Sequence, residues 1–213
     1  MIPTVDEFTV ADPADAWTLA GFGVDPDGMC RIGGVGIHLV GRDSGEGIVG
    51  WSLRDLGPDY SAHDVDGIPT TPSRRVPTKP GTHPNGVTSI DHVVLLSPDL
   101  GRTVTSLAAI GADPRRERDG ELGGRRIRQI FFRFGEVIVE VVGSPETTSD
   151  GPSTLWGMTY VVADIDATAR LFGDRTGPVK DAVQPGRRIT TLKHREFGMS
   201  VRCAFMSAHV RER

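Results

Sequence analysis

The sequence predicts an α+β fold in which a βαβββ unit is repeated along the chain. Three times, an apolar strand leads through a short polar turn into a helix that ends at a glycine. Residues 30–41 and 132–143 also align without gaps, and five of the twelve aligned residues are identical. We therefore predict a first unit at about 4–41, a middle unit at 88–143 and a last unit at 154–207.

Each unit opens with a strand and a helix whose ends carry typical capping residues. In the first unit a strand over 5–10 precedes Asp12 and Pro13, which suit the N-cap and the first helical position, and Gly21 closes the helix. Gly33, Gly135 and Gly198 are expected in the hairpins that follow, because positive φ costs little only for glycine. The corresponding strand, helix and closing glycine are 90–96, 100–110 and Gly111 in the middle unit, and 155–162, 165–172 and Gly173, with Asp164 as N-cap, in the last.

The segment between the first and middle units has a different composition. Residues 57–87 contain six prolines and no long apolar run, which predicts a linker or surface loop. Apolar residues within 47–56 predict one further strand. We therefore divide the chain into a degenerate first unit with an extra strand at 1–56, this linker, and a domain at 88–213 that holds the other two units.

Composition and charge argue against several classes of partner. The 213-residue chain has a net charge of −4 and a pI near 5.9, so we expect neither nucleic acid nor an anionic membrane as partner. No apolar run approaches the ~20 residues of a membrane span, and the N-terminus lacks the features of a secretory signal. Cys30 and Cys203 suit a reducing compartment. We expect a cytoplasmic protein.

Three short motifs resemble the vicinal-oxygen-chelate superfamily, which includes glyoxalase I, extradiol dioxygenases, methylmalonyl-CoA epimerase and bleomycin-resistance proteins. The resemblance covers the middle and last units well, and the first unit weakly through the internal repeat. The motifs are residues 90–95 with 97–100, residues 135–141, and residues 156–162, which look like the start of the second module of the family.

The resemblance implies a U-shaped mixed sheet formed by paired units, with helices on its convex face. It also implies a small-molecule substrate, a possible homodimer, and a divalent metal (Fe, Ni, Mn or Zn) on the concave face, held by one residue from the first and one from the last strand of each paired unit. Strand alternation places Glu7 and His92 on first strands and His38 and Glu140 on last strands, each opposite an apolar face. These four residues are the candidate metal ligands.

Two pairings of the units remain open at this stage. The corresponding residues of the last unit, in the same alternation, are Met158 and Cys203, and Met is a poor ligand for a hard ion. Ligand chemistry therefore favours pairing the first unit with the middle unit. The short 144–153 connection favours pairing the middle unit with the last.

Two functions are compatible with the resemblance. One is a metal-dependent lyase, isomerase or oxygenase whose substrate chelates the metal through vicinal oxygens, with Glu140 as the general base. The alternative is a metal-free protein that binds and sequesters a small molecule in an apolar cleft. The substrate-binding candidates are Trp156, Met158, Tyr160 and Arg187, with Phe205 beside them.

The stretch from 115 to 133 contains seven arginines among several acidic residues. It is either a solvated hairpin of mixed charge or a clamp for an anionic group of the ligand.

Overall fold

A mixed β-sheet runs through most of the chain and packs against three helices, in agreement with the predicted α+β class. The computed structural model describes residues 2–57, 60–77 and 79–209. The helices are α1 (Ala14–Leu19), α2 (Leu100–Ala109) and α3 (Ile165–Phe172). The strands are β1 (Thr4–Val10), β2 (Met29–Ile32), β3 (Val35–Leu39), β4 (Ile48–Arg54), β5 (Asp64–Val65), β6 (Ile68–Pro72), β7 (Val87–Leu96), β8 (Pro114–Leu122), β9 (Arg125–Phe134), β10 (Val137–Gly143), β11 (Thr154–Val162), β12 (Lys180–Asp181), β13 (Arg188–Thr191) and β14 (Arg202–Ser207).

The middle and last units form a pair. Within each unit the first and last strands are parallel neighbours: β7 lies beside β10, and β11 beside β14. The two first strands, β7 and β11, run antiparallel along most of their length and join the units. Of the two pairings left open by the sequence, the structure therefore shows the one that the short 144–153 connection favoured.

The first unit has its own neighbours. β1 is parallel to β3, as in the other units, and on its other side β4 runs antiparallel to it. The strand predicted within 47–56 is therefore present as β4. Residues 57–87, which the composition suggested to be a linker, contain β5 and β6, and β6 lies parallel to β4.

One of the two predicted N-caps is present. The side chain of Asp164 accepts hydrogen bonds from backbone N–H groups in the first turn of α3, and Asp99, which was not predicted, caps α2 in the same way. The prediction for Asp12 was wrong, since α1 begins after Pro13 without a side-chain cap. The Asp12 carboxylate is instead fully buried and accepts hydrogen bonds from Trp17 Nε1 and from the backbone of Ser200 in the last unit. The segment around Ser200 thus supplies the N–H donors that the first turn of α1 was expected to offer to Asp12.

The hairpin glycines are also partly as predicted. Gly33 and Gly135 lie in the β2–β3 and β9–β10 turns with φ of 60° and 66°. Gly198 instead ends a short 3-10 turn at His194–Phe197, so its left-handed conformation closes a helical turn rather than a hairpin.

The face of the sheet toward the helices forms the core. Val93, Val139 and Val141 are fully buried there, and the ring of Phe172 on α3 stacks on Phe205 with centroids 5.2 Å apart. The residues that alternate with these valines lie on the opposite face, which holds the candidate site. None of the helices in the described part of the chain has the length and apolar character needed to cross a membrane.

Candidate functional site

The parallel ladder of β7 and β10 brings His92 and Glu140 together on the face away from the helices. His92 is the register partner of Ile138, and Glu140 lies two residues further along β10. His92 Nε2 is 3.5 Å from Glu140 Oε2, and the two side chains are only 14% and 11% exposed. An imidazole and a carboxylate that are largely shielded from water thus face one another.

A β-bulge in β7 brings a second carboxylate to His92. Thr159 of β11 pairs with His92, whereas Tyr160 pairs with Ile90, so Asp91 is an extra residue in β7. Its Oδ2 lies 2.8 Å from His92 Nδ1, and its Oδ1 accepts a hydrogen bond of 2.6 Å from Arg187 Nη1. Asp91 was not among the predicted site residues. The signal was available, because two adjacent polar residues interrupt the apolar alternation at Ile90-Asp91-His92.

The hydrogen bonds that Asp91 accepts determine its protonation. Burial raises the pKa of Asp91, but the hydrogen bonds from His92 and Arg187 outweigh burial and hold that pKa below its ordinary value. Asp91 is therefore a carboxylate and can only accept, so His92 Nδ1 carries a proton. The other ring nitrogen, Nε2, is directed toward Glu140 and the cavity.

Glu140 is held in turn by a side chain from the neighbouring strand. Its Oε1 accepts a hydrogen bond from Gln129 Nε2, and Gln129 Oε1 accepts one of 2.9 Å from Arg118 Nε. The two partners fix the orientation of the amide, whose oxygen is directed to Arg118. Gln129 therefore offers its N–H group to Glu140 and holds that side chain in place.

These residues line a cavity of about 620 Å³ between β7, β9, β10 and the β12–β13 segment. Its walls combine an apolar surface with many cationic side chains, while the lining carboxylates are Glu140 and Asp181. Arg133, Ile138 and His92 lie in one row across three neighbouring strands. The apolar residues are Phe131, Phe132, Ile138, Ala182, Val183, Ile189 and Met206, and the cationic residues are Arg115, Arg116, Arg118, Arg133 and Lys180.

The other two predicted metal ligands lie elsewhere. Glu7 Oε1 is 3.7 Å from His38 Nδ1, in a separate pocket of about 340 Å³. β4 and β11 lie between β1 and β7, so Glu7 and His92 belong to strands about 14 Å apart at ~4.8 Å per strand. The prediction that Glu7, His38, His92 and Glu140 form one metal centre is therefore wrong.

The last unit contributes different residues to the cavity from those expected. Thr159 pairs with Ala204, two residues before Met206, just as His92 pairs with Ile138, two residues before Glu140. Thr159 and Met206 therefore occupy in the last unit the positions that His92 and Glu140 occupy in the middle unit. Met158 and Cys203, the positions expected from alternation, are buried in the core on the helix side, each 2% exposed. Burial raises the pKa of Cys203 well above its usual range, so this residue remains a thiol. The alternation of β11 was misjudged by one residue at Met158, because Trp156 is bulged out of that strand.

The predicted substrate-binding residues also lie outside the cavity. Tyr160 is fully buried, with its hydroxyl 3.3 Å from Met158 Sδ, and Phe205 packs against α3. Trp156 is 43% exposed and stacks on the Arg202 guanidinium. Arg187 is 1% exposed and binds Asp91, so it positions His92 from behind and does not line the cavity.

The donor set at the cavity does not fit the metal centre that the resemblance implies. His92 and Glu140 are usual ligands, but Thr159 and Met206 occupy the two equivalent positions of the last unit. In residues 2–57, 60–77 and 79–209, no group of three or more His, Cys, Asp or Glu side chains is arranged to hold a metal ion. Catalytic divalent ions normally have at least three protein ligands.

Comparisons with known proteins identify the fold. No protein-family model and no curated protein matches the sequence. A variant of 4-hydroxymandelate synthase from Streptomyces coelicolor aligns with 100% of this chain and 95% of its own, at a TM-score of 0.66 and 15% identity. A catechol 2,3-dioxygenase aligns with 98% of this chain and 88% of its own (TM-score 0.61, 12% identity). A homoprotocatechuate 2,3-dioxygenase variant from Brevibacterium fuscum aligns with 97% and 72% (TM-score 0.55, 13% identity). At such identities the similarity establishes the fold alone.

Proposed function

We propose that this chain, which has the fold of the vicinal-oxygen-chelate superfamily, binds a small organic anion with an apolar body in the cavity of the middle and last units, and that it does so without a metal ion. The metal-free alternative considered from the sequence is therefore preferred to the metal-dependent enzyme. The residues that line the cavity differ from the predicted substrate-binding residues. The kind of ligand, a small molecule bound in an apolar cleft, is the same.

The state of the arginines carries this proposal. Arg126 and Arg128, toward the outer end of the β8–β9 ribbon, pair with Glu146 and Asp119. Arg115, Arg116 and Arg133 line the cavity and form no ion pair within the described ranges. Unpaired guanidinium groups beside an apolar surface suit a ligand that carries a carboxylate or phosphate on a hydrophobic body. Of the two interpretations of the 115–133 stretch, the anion clamp thus applies to its cavity end.

The surroundings of His92 and Glu140 support the metal-free part of the proposal. Each side chain already has a partner within the protein: Asp91 bonds the imidazole, and Gln129 bonds the carboxylate. Buried polar groups are stable when their hydrogen bonds are made, so this pair needs no metal ion to be accommodated.

The experiment compares an acid with its neutral analogue. In buffer containing EDTA, we expect isothermal titration calorimetry to show that 4-phenylbutanoate binds about tenfold more tightly than 4-phenylbutan-1-ol, because only the acid forms charge-assisted hydrogen bonds with the arginines. The Arg133→Ala variant should lose most of this preference. Arg126→Ala, which removes an exposed arginine already paired with Glu146, is the matched control and should keep it.

Two results would overturn the proposal. Equal affinity for the acid and the alcohol would show that the arginines do not select an anion. Binding that disappears in EDTA and returns with a divalent metal would restore the metal-dependent alternative.

A further inference from the structure

We propose that residues 81–86 form an acid-sensitive latch between the first unit and the rest of the chain, and that protonation of His83 opens it. These six residues, the latch segment, lie just before β7. They do not line the cavity, so this inference is independent of the proposed ligand.

The latch segment lies where the first and last units meet. Asn85 donates from its backbone N–H to the Gly21 carbonyl at 3.1 Å and from Nδ2 to the Ala20 carbonyl at 3.0 Å, both in the first unit. Its own carbonyl accepts a hydrogen bond of 2.9 Å from Thr168 Oγ1 on α3. Asn85 is 1% exposed. One buried residue of the segment therefore bonds to both units.

His83 attaches the segment to the first unit through both ring nitrogens. Its Nδ1 accepts a hydrogen bond of 3.0 Å from the backbone N–H of Gly23, and its Nε2 lies 3.0 Å from the carbonyl oxygen of Arg31 in β2. A backbone N–H only donates and a carbonyl only accepts, so Nδ1 is unprotonated and Nε2 carries the hydrogen. These two contacts hold the ring in its neutral form and in one tautomer.

A protonated His83 does not fit these contacts. The added proton sits on Nδ1 and faces the N–H of Gly23, so a hydrogen bond becomes a contact between two donors. The ring is 7% exposed and packs edge-on against Phe22, with centroids 6.1 Å apart, so water does not reach it in place. A charged imidazole without an acceptor is costly to bury, and it gains water only when the segment moves away.

The backbones around the ring leave little room for another arrangement. A Cβ atom at Gly23 would collide with the carbonyl oxygen of Thr82, and one at Gly21 would press against Asn85. The two stretches of chain are therefore in direct contact, which glycine permits because it has no side chain. A protonated ring has no free space beside Gly23 in which to find a new acceptor.

The charges near His83 do not offset its burial. The elements packed against the ring present Asp25 and Asp27, in the loop before β2, and Arg31, which pairs with both carboxylates. Burial lowers the pKa of His83 below its ordinary value, although the bond to the Arg31 carbonyl and the charge of Asp25 raise it. The closed latch is therefore fully stable above about pH 6.5, the ordinary pKa of histidine, and becomes less stable as the pH falls below that value.

The experiment measures amide hydrogen exchange by NMR at pH 7 and pH 5. Each rate is divided into the rate of an unstructured chain at the same pH, so that the resulting protection excludes the intrinsic effect of pH. We expect the amides of Gly23 and Gly81 to lose about tenfold in protection at pH 5, because the histidine of an opened segment titrates near its ordinary pKa of about 6.5. The amides of β7 and β10 should keep their protection. At pH 7 the imidazole nitrogen shifts should identify Nε2 as the protonated nitrogen.

Two variants separate titration of His83 from other effects of acid. In His83→Asn the side-chain oxygen accepts from the Gly23 N–H as Nδ1 does, but it does not titrate, so the protection of Gly23 should be the same at both pH values. His63→Asn removes an exposed histidine of the loop before β5, and as the matched control it should behave like wild type. If the His83 variant does not fold, the tautomer and the protection measured on wild type still decide the question.

Three results would overturn the latch. Unchanged protection of Gly23 and Gly81 in wild type at pH 5 would show that the segment stays closed in acid. An equal loss in His83→Asn would show that another group controls the opening. An equal loss in β7 and β10 would show that acid unfolds the whole chain. Protection lost in wild type at the latch segment alone, and retained in His83→Asn, supports the proposal.

Discussion

The middle and first units each place an imidazole and a carboxylate at the same offset on a pair of parallel strands, yet they form different sites. His92 and Glu140 are 3.5 Å apart, and His38 and Glu7 are 3.7 Å apart with the residue types exchanged between the strands. The His92 side chain is 14% exposed, whereas that of His38 is 43% exposed. Equivalent positions in a repeat therefore do not imply equivalent chemistry.

The neighbours of each pair account for the difference. In the first unit, Arg75 from the chain after β6 contacts Glu7 at 2.8 Å and is itself 70% exposed, so the pair belongs to a solvated surface network. In the middle unit, β11 and the β12–β13 segment shield the pair, and the bulge adds Asp91 behind the imidazole. Pairing with a complete unit, rather than with the three strands β4 to β6, is what gives the middle unit its cavity.

Removal of the arginine that binds a carboxylate at each site, Asp91 in the middle unit and Glu7 in the first, should show the largest contrast. Arg187→Ala leaves the buried Asp91 carboxylate without its cation, and we expect a loss of about 3–5 kcal/mol in the free energy of unfolding. Arg75→Ala removes an exposed ion pair and should cost no more than about 1 kcal/mol. Urea denaturation of both variants measures the two values. Losses of equal size would contradict the distinction between a shielded and a solvated pair.

A smaller effect is expected when a third metal donor is added to the middle unit. Thr159 pairs directly with His92 across β7 and β11. The Thr159→His variant therefore places two imidazoles and the Glu140 carboxylate around one point, a combination that binds divalent metals. We expect its affinity for Ni²⁺ to exceed that of wild type at least about tenfold, as measured by calorimetry. Thr159→Val, which keeps the β-branched shape, controls for folding. If Thr159→His gains no affinity for Ni²⁺, the number of donor side chains is not what makes the wild-type cavity a poor fit for a metal ion.

The smallest expected effect is on the pH dependence of stability. The pKa of Asp91 is lower in the folded protein than its ordinary value, so its contribution to stability is present above the unfolded pKa, about 3.9, and is lost as the pH falls through the folded pKa. The free energy of unfolding of wild type should therefore fall more steeply below pH 4 than that of Asp91→Asn. Parallel curves would show that the Asp91 carboxylate gains nothing from His92 and Arg187.

Local patterns predicted the secondary structure well where local forces decide it. The helix predicted over 165–172 has those bounds, and Asp164 caps it. The helix predicted over 100–110 ends one residue earlier. Asp12 shows the limit of such patterns, because its side chain bonds Ser200, a residue far along the chain whose proximity no local window contains.

The site was only partly accessible from the sequence. Alternation correctly placed His92 and Glu140 on one face, but it misplaced Met158, since a single bulge at Trp156 reverses every later side chain of β11. It also misplaced Cys203 on β14. Gln129 and Arg133 were part of an arginine-rich stretch with two interpretations, and only the register of β9 against β10 directs them into the cavity. The division of the chain into domains and a homodimeric state remain predictions.

The sequence by itself determined the repeated unit, the helices and the two faces of the central strands, because these depend on periodicity and on residues a few positions apart. The tertiary structure decided which units pair, and through that pairing which carboxylate and which cations surround His92. Such contacts join residues about forty to one hundred positions apart, and they form only where sheet register and bulges bring the side chains to the same place.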